Sequence, residues 1–168
     1  AEAQGDVSIR GGIFEGTGIQ LGSVTLIDPQ TGHYSTELPV APEMLGELQV
    51  YTGADNALYG FNSSTGTVHY DWSQILKGGS LTVGAGAHAL NFQRLHQAWA
   101  KPLSKFEEGS LAYELEYSQS ESDGSLQFGD HDFDRSTARI QFLRQNSQTD
   151  LFAGYQSKYF GWPAMYTA

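Results

Sequence analysis

Along residues 110–118 apolar and polar side chains alternate without a break, Leu111, Tyr113, Leu115 and Tyr117 on one parity and Ala112, Glu114, Glu116 and Ser118 on the other. An extended chain points alternate residues to opposite faces, so this segment is a strand with one apolar and one charged face. The same parity governs residues 136–142, where Ala138, Ile140 and Phe142 oppose Arg139 and Gln141. It returns in residues 149–159, where Leu151, Ala153, Tyr155 and Tyr159 oppose Asp150, Gln156 and Lys158. Leu81, Val83, Ala85 and Ala87 extend it to an earlier strand, whereas residues 90–101 are too mixed for their faces to be assigned. Five strands separated by polar or glycine-containing turns predict an antiparallel meander over residues 77–168. Such a sheet is a membrane-barrel wall or one half of a soluble sandwich, and periodicity alone serves both.

Composition narrows the alternatives. No run approaches the roughly 20 apolar residues of a membrane helix; even residues 18–27 are interrupted by Gln20, Gly22, Ser23 and Thr25. A strand-built membrane protein stays open, because alternation leaves the mean hydropathy low, here -0.37. There is no cysteine, hence no disulfide, thiolate nucleophile or thiolate metal site. Nineteen acidic against nine basic residues give a net charge of -10, which repels phosphate backbones and argues against nucleic acid as a partner. The chain opens Ala1-Glu2-Ala3-Gln4-Gly5-Asp6 without a basic or apolar leader and stops in mid-pattern, as a piece of a longer protein would.

Residues 1–76 read differently. Val7 to Arg10 predicts a short strand stopped at Gly11-Gly12, and residues 18–27 predict two strands around a bend at Gly22-Ser23. Asp28-Pro29-Gln30-Thr31-Gly32 predicts a tight reversal: Asp accepts backbone hydrogen bonds, Pro fixes φ and Gly supplies the permissive exit. Residues 41–46, with Pro42 near the start and Glu43 in the first turn, predict one helical turn. Residues 47–51 predict a strand ending at Gly53, residues 56–60 a turn, and residues 66–70 a final strand.

Few residues suggest chemistry. Asp123, Asp130, Asp132 and Asp134, with Glu121 nearby, gather hard oxygen ligands of the kind calcium takes, though not at EF-hand spacing; a solvated acidic loop is the competing reading. His33, His69, His88, His96 and His131 form no paired zinc signature. No nucleophile elbow, phosphate-binding loop or zinc-protease motif occurs. Glu114 and Glu116 share a strand face and with Asp71 make a carboxylate set on paper, but solvation of a polar face accounts for them; no catalytic residue is assigned and no enzyme is expected. Trp162 and Tyr166, after the fifth strand, are candidate ligand contacts or members of an interfacial aromatic girdle.

The order of short motifs in the first part resembles the plug domain of TonB-dependent outer-membrane receptors. An I-R-G segment stands at Ile9-Arg10-Gly11, D-P-Q-T-G-H at residues 28–33, a Glu-led strand at residues 47–53, and L-Y-G before a glycine-bearing strand at residues 58–68. The pattern is most similar to cobalamin and siderophore receptors. Leu21-Gly22 replaces the usual Asp-Gly turn, and Thr52-Gly53-Ala54 the usual Arg-Gly-Pro.

This resemblance implies a mainly β fold: a partial transmembrane antiparallel β-barrel preceded by part of a mixed α/β plug, with a boundary near residue 76. It implies external exposure for residues 119–135 and periplasmic turns at residues 101–109 and 146–148. Such receptors close barrels of about 22 strands, so the remaining strands must come from the same or a second chain. The implied function is uptake of a scarce ligand, a metal chelate, siderophore or cobalamin-like molecule, across the outer membrane of a Gram-negative cell. A TonB-type energy-transducing complex, outer-membrane lipid and the small-molecule ligand are the implied partners; calcium is the implied ion, because cobalamin receptors hold it in the corresponding loop. Two alternatives remain: a secreted soluble β-rich module binding a ligand or carbohydrate through Trp72, Trp99 or Trp162, and a small structural outer-membrane barrel.

Overall fold

The computed structural model describes residues 7–27, 39–103 and 109–161, apart from the side chain of Phe14. The D-P-Q-T-G-H reversal, Trp162 and Tyr166 lie outside the described residues. The chain divides into two compact units, the first ending at Gln74 and the second starting at Ile75.

The first unit is a four-stranded mixed sheet. Strands β1 (Thr17–Leu21), β2 (Val24–Thr25), β3 (Leu45–Tyr51) and β4 (Gly66–Trp72) lie in the order β2-β1-β4-β3, with β1 parallel to β4 and the other neighbours antiparallel. Ile19 and Val68 form its core, with Ile9, Ile27 and Tyr70 packed against them. The bend between β1 and β2 requires glycine twice over: Gly22 has φ 55, and an added Cβ would stand 3.0 Å from the Trp72 ring. A 3-10 turn (Pro42–Met44) precedes β3 where one helical turn was expected, and Met44 is buried.

Two sequence expectations fail in this unit. Val7 to Arg10 is not a strand: Arg10 and Gly11 both have positive φ, and Gly12 N–H donates to Ile9 O at 3.0 Å, so the chain turns where it was expected to extend. Ile9 keeps its apolar role by packing on the core. Residues 56–60 are not an isolated turn but the latter part of α1 (Ala54–Tyr59); Gly53, at φ 59, redirects the chain into a helix closed by Ala57 N–H to Gly53 O and Gly60 N–H to Asn56 O.

The second unit is an antiparallel meander of β5 (Gly78–Ala85), β6 (Asn91–Pro102), β7 (Gly109–Ser122), β8 (His131–Arg144) and β9 (Ser147–Phe160), paired in sequence order. Neither sheet closes into a barrel; β5 and β9 are edges. The connection between β7 and β8 is shorter than the 119–135 expected, because Gln119 pairs with Asp134 and Glu121 with Asp132 within the ladder. Polar residues continue the strands instead of leaving them. The β8–β9 connection is a two-residue turn at Gln145-Asn146.

Candidate functional site

The five-stranded sheet is inverted relative to a soluble core. Leu115 is 52% exposed, while its neighbour Glu116 is 3% exposed. Leu111, Tyr113, Tyr117, Ile140, Leu151 and Tyr155 are likewise exposed on the apolar face, and Glu114, Arg139 and Gln141 are buried on the other. The parity expected from the sequence holds for these positions in β7, β8 and β9.

The exposed face carries its apolar residues as a band. In β8 they are Ala138, Ile140 and Phe142; in β5 they are Leu81, Val83 and Ala85, which align through β6 with Tyr117, Gln119 and Glu121 of β7. In β9 they are Leu151, Ala153 and Tyr155, which align through β8 with Tyr113, Leu115 and Tyr117, so the band continues across the sheet. Trp99 stacks on Tyr113 at 5.5 Å within it. Gln97 is the polar residue in its midst; it lies over the bare backbone of Gly79 and donates to Gly78 O at 3.0 Å, so its amide is not left unpaired.

The buried face is a ladder of ion pairs. Arg139 donates from Nε to Glu114 Oε1 at 2.6 Å and from Nη1 to Asp150 Oδ1 at 3.3 Å, while His96 Nε2 lies 3.1 Å from Glu114 Oε2. One register step along, Glu116 accepts from Arg135 at 2.8 Å, Arg94 at 3.2 Å and Thr137 at 3.3 Å. Gln141 and Gln148 donate to Asp150 at 3.0 and 2.7 Å. Charges withdrawn from water persist only when paired and hydrogen-bonded, and these are both. Sequence reading assigned Glu114, Glu116, Arg139 and Gln141 to this face but not Arg94 and His96, whose strand was unreadable.

The acidic candidates divide. Asp123, Asp130 and Asp132 line a cleft of about 390 Å3 with Glu121, His131 and Tyr159. Asp134 instead accepts from the Tyr117 hydroxyl at 3.1 Å on the exposed face. Among the described residues no three acidic or histidine side chains converge in an arrangement that could hold a metal ion.

In the first unit the Tyr51 ring lies 5.2 Å from that of His69, whose Nε2 is 3.2 Å from Asp71 Oδ1. Burial first, then the Asp71 carboxylate, pushes the Tyr51 phenol above its usual value.

No family model matches the sequence, and no curated protein matches it. Among solved structures the chain is similar to the pyoverdine outer membrane receptor FpvA of Pseudomonas aeruginosa PAO1, bound to pyoverdine, with a TM-score of 0.58 and 15% identity. The likeness covers 92% of this chain and 23% of the receptor, so the chain spans about a quarter of that protein's length. At this identity the relation is one of fold alone.

Proposed function

We propose that this chain is part of an outer-membrane active transporter of the TonB-dependent kind, its first unit belonging to the plug and its second to the barrel wall. The observation that carries the reading is the inversion of the second unit, with Leu115 exposed and Glu116 buried on adjacent positions of one strand. A soluble sandwich would bury Leu111, Leu115 and Ile140 and solvate Glu114 and Arg139; the opposite arrangement suits lipid outside and polar surroundings inside. The structural likeness to a siderophore receptor supports the same reading and favours a metal chelate as the ligand class. On this reading β5 and β9 pair with further strands, because unpaired backbone groups are not tolerated in hydrocarbon. An energised inner-membrane partner drives uptake.

The test is membrane placement and uptake by the full-length protein. Carbonate-washed outer membranes should retain it, and cells carrying it should accumulate a labelled ferric chelate in a manner abolished by a protonophore. Recovery as a monodisperse species without detergent would overturn the membrane placement. Retention in the membrane with uptake unaffected by the protonophore would overturn active transport and leave a passive pore.

A further inference from the structure

The exposed face of the meander is polarised along its strands. At one margin of the apolar band stand Lys101, opposite Leu111 of β7, and Arg144, opposite Gly109 of the same strand. Both are exposed, and neither has a carboxylate partner among the described residues. At the other margin of the same face stand Glu121, Asp132 and Asp134. Arg94, Arg135 and Arg139 are held by Glu114 and Glu116 on the buried face and do not contribute. Cations and carboxylates of the exposed face are therefore separated by the width of the band.

Arg144 is aimed by its surroundings. Its guanidinium carbon lies 4.8 Å from the centroid of the Phe142 ring, and its stem passes bare Gly109, where an added Cβ would stand 3.4 Å from Arg144 Cγ. A guanidinium resting on an aromatic face keeps its charge and its outward N–H donors. With Gln145, Asn146 and Ser147 of the β8–β9 turn it lines a recess of about 290 Å3, which offers a guanidinium, two amides and a hydroxyl but no carboxylate. Lys101 stands two strands and two residues of register away, about 12 Å by ordinary strand spacing. One phosphate group between two long side chains spans that gap. Next to both cations the face turns apolar at once, with Trp99 stacked on Tyr113 and Leu111 opposite Phe142.

We propose that Lys101, Arg144 and the β8–β9 turn form a site for the phosphate of an anionic phospholipid, whose acyl chains run along Trp99, Leu111 and Phe142. Planar and point cations with amide donors suit a phosphate diester, and the adjoining apolar surface suits a ligand that carries tails. A free anion would leave that surface unused. The carboxylates at the opposite margin repel the same headgroup, which confines the site to one end of the band. The proposal rests on the lipid-facing reading of this face and adds the class of lipid and the place where it is held.

Fluorescence quenching tests it, with the full-length protein in phosphatidylcholine vesicles that contain brominated phosphatidylglycerol or, in a parallel series, brominated phosphatidylcholine. The share of the emission that Trp99→Phe removes reports this site. Phosphatidylglycerol should quench that share with a relative affinity at least about fivefold above phosphatidylcholine, the discrimination a basic residue gives beside a charged headgroup. Replacing Lys101 and Arg144 together with Gln, both exposed positions, should abolish the preference, and Asp134→Asn should leave it in place. Equal quenching by the two lipids in the unsubstituted protein, or a preference that survives the double replacement, would overturn the site while the membrane placement stands. Quenching of Trp99 by neither lipid would overturn the lipid-facing band itself, and the site with it.

Discussion

Arg139 of β8 and Glu114 of β7 stand directly opposite each other, 1% and 2% exposed, with Nε donating to Oε1 at 2.6 Å. A pair so enclosed makes each partner the condition for the other's charge, since neither has water to fall back on.

Glu114→Ala takes away the carboxylate that lies 2.6 Å from the buried Arg139 Nε and should destabilise the fold by about 3–5 kcal/mol. Replacing both residues by leucine should cost less than Glu114→Ala alone, because the guanidinium leaves together with its carboxylate, and Asp150, though it loses Arg139, keeps its bonds from Gln141 and Gln148. Urea titration of the full-length protein measures both; a double variant worse than the single would show that the pair is net stabilising.

Leu115 and Gln119 occupy the same face of β7, two register steps apart, the first inside the apolar band and the second beside Asp134 at its edge. Arg at Leu115 should cost roughly 2–4 kcal/mol if the band meets hydrocarbon, and Arg at Gln119 no more than about 1 kcal/mol. Equal costs in a membrane-folding titration would remove the case for a lipid-facing band.

Gly18 in β1 has no room for a side chain: a Cβ would stand 2.8 Å from Thr67 Oγ1 and 3.0 Å from Ser63 Cβ. Those two side chains bond each other and Asn56 Oδ1, tying α1 to β4. Gly18→Ala should therefore loosen the first unit by about 1–3 kcal/mol. Proteolysis within residues 54–67 should accelerate in the variant while the meander stays resistant.

The Tyr51 phenol is raised by burial and by Asp71. As pH climbs past the unfolded value of about 10, the folded state still holds a proton that the unfolded chain has released, so stability contributed at lower pH is lost with rising pH. Tyr51→Phe should flatten this alkaline loss, and Asp71→Asn should lower the Tyr51 titration midpoint. Absorbance titration at alkaline pH, compared with the Tyr51→Phe protein, gives that midpoint; no change in Asp71→Asn would remove the carboxylate as a cause.

Strands β7, β8 and β9 were legible because each puts large apolar groups on one parity and charge on the other, a signal that survives without knowing what either face meets. Strand β6 was not: Gln93 and Gln97 sit on the exposed face with Leu95, while Ala98 and Ala100 share the buried face with Arg94 and His96, so both parities look mixed. The strand's place comes from its two neighbours. The helix α1 has six residues, too few for a helical period to show, and Asn56 and Gly60 suggested a turn. Asp134 shares strand and face with Asp132, but it lies within reach of Tyr117 and accepts from that hydroxyl instead of lining the cleft, a cross-strand partner that spacing along the chain does not show. The buried bond from Ile75 N–H to Gln141 Oε1 was beyond local reading altogether, since its acceptor lies on a distant strand.

The two sheets also differ in how far apart along the chain their partners lie. Every pairing in β5–β9 joins consecutive strands, so this unit can zip up hairpin by hairpin, each step closing only a short loop. In the first unit β1 must wait for β4, with Thr17 meeting Gly66 across nearly the whole unit, and that closure comes at a larger entropic cost. The meander is thus expected to be assembled while the small sheet is still searching, so the later part of the chain is paired before the part that precedes it.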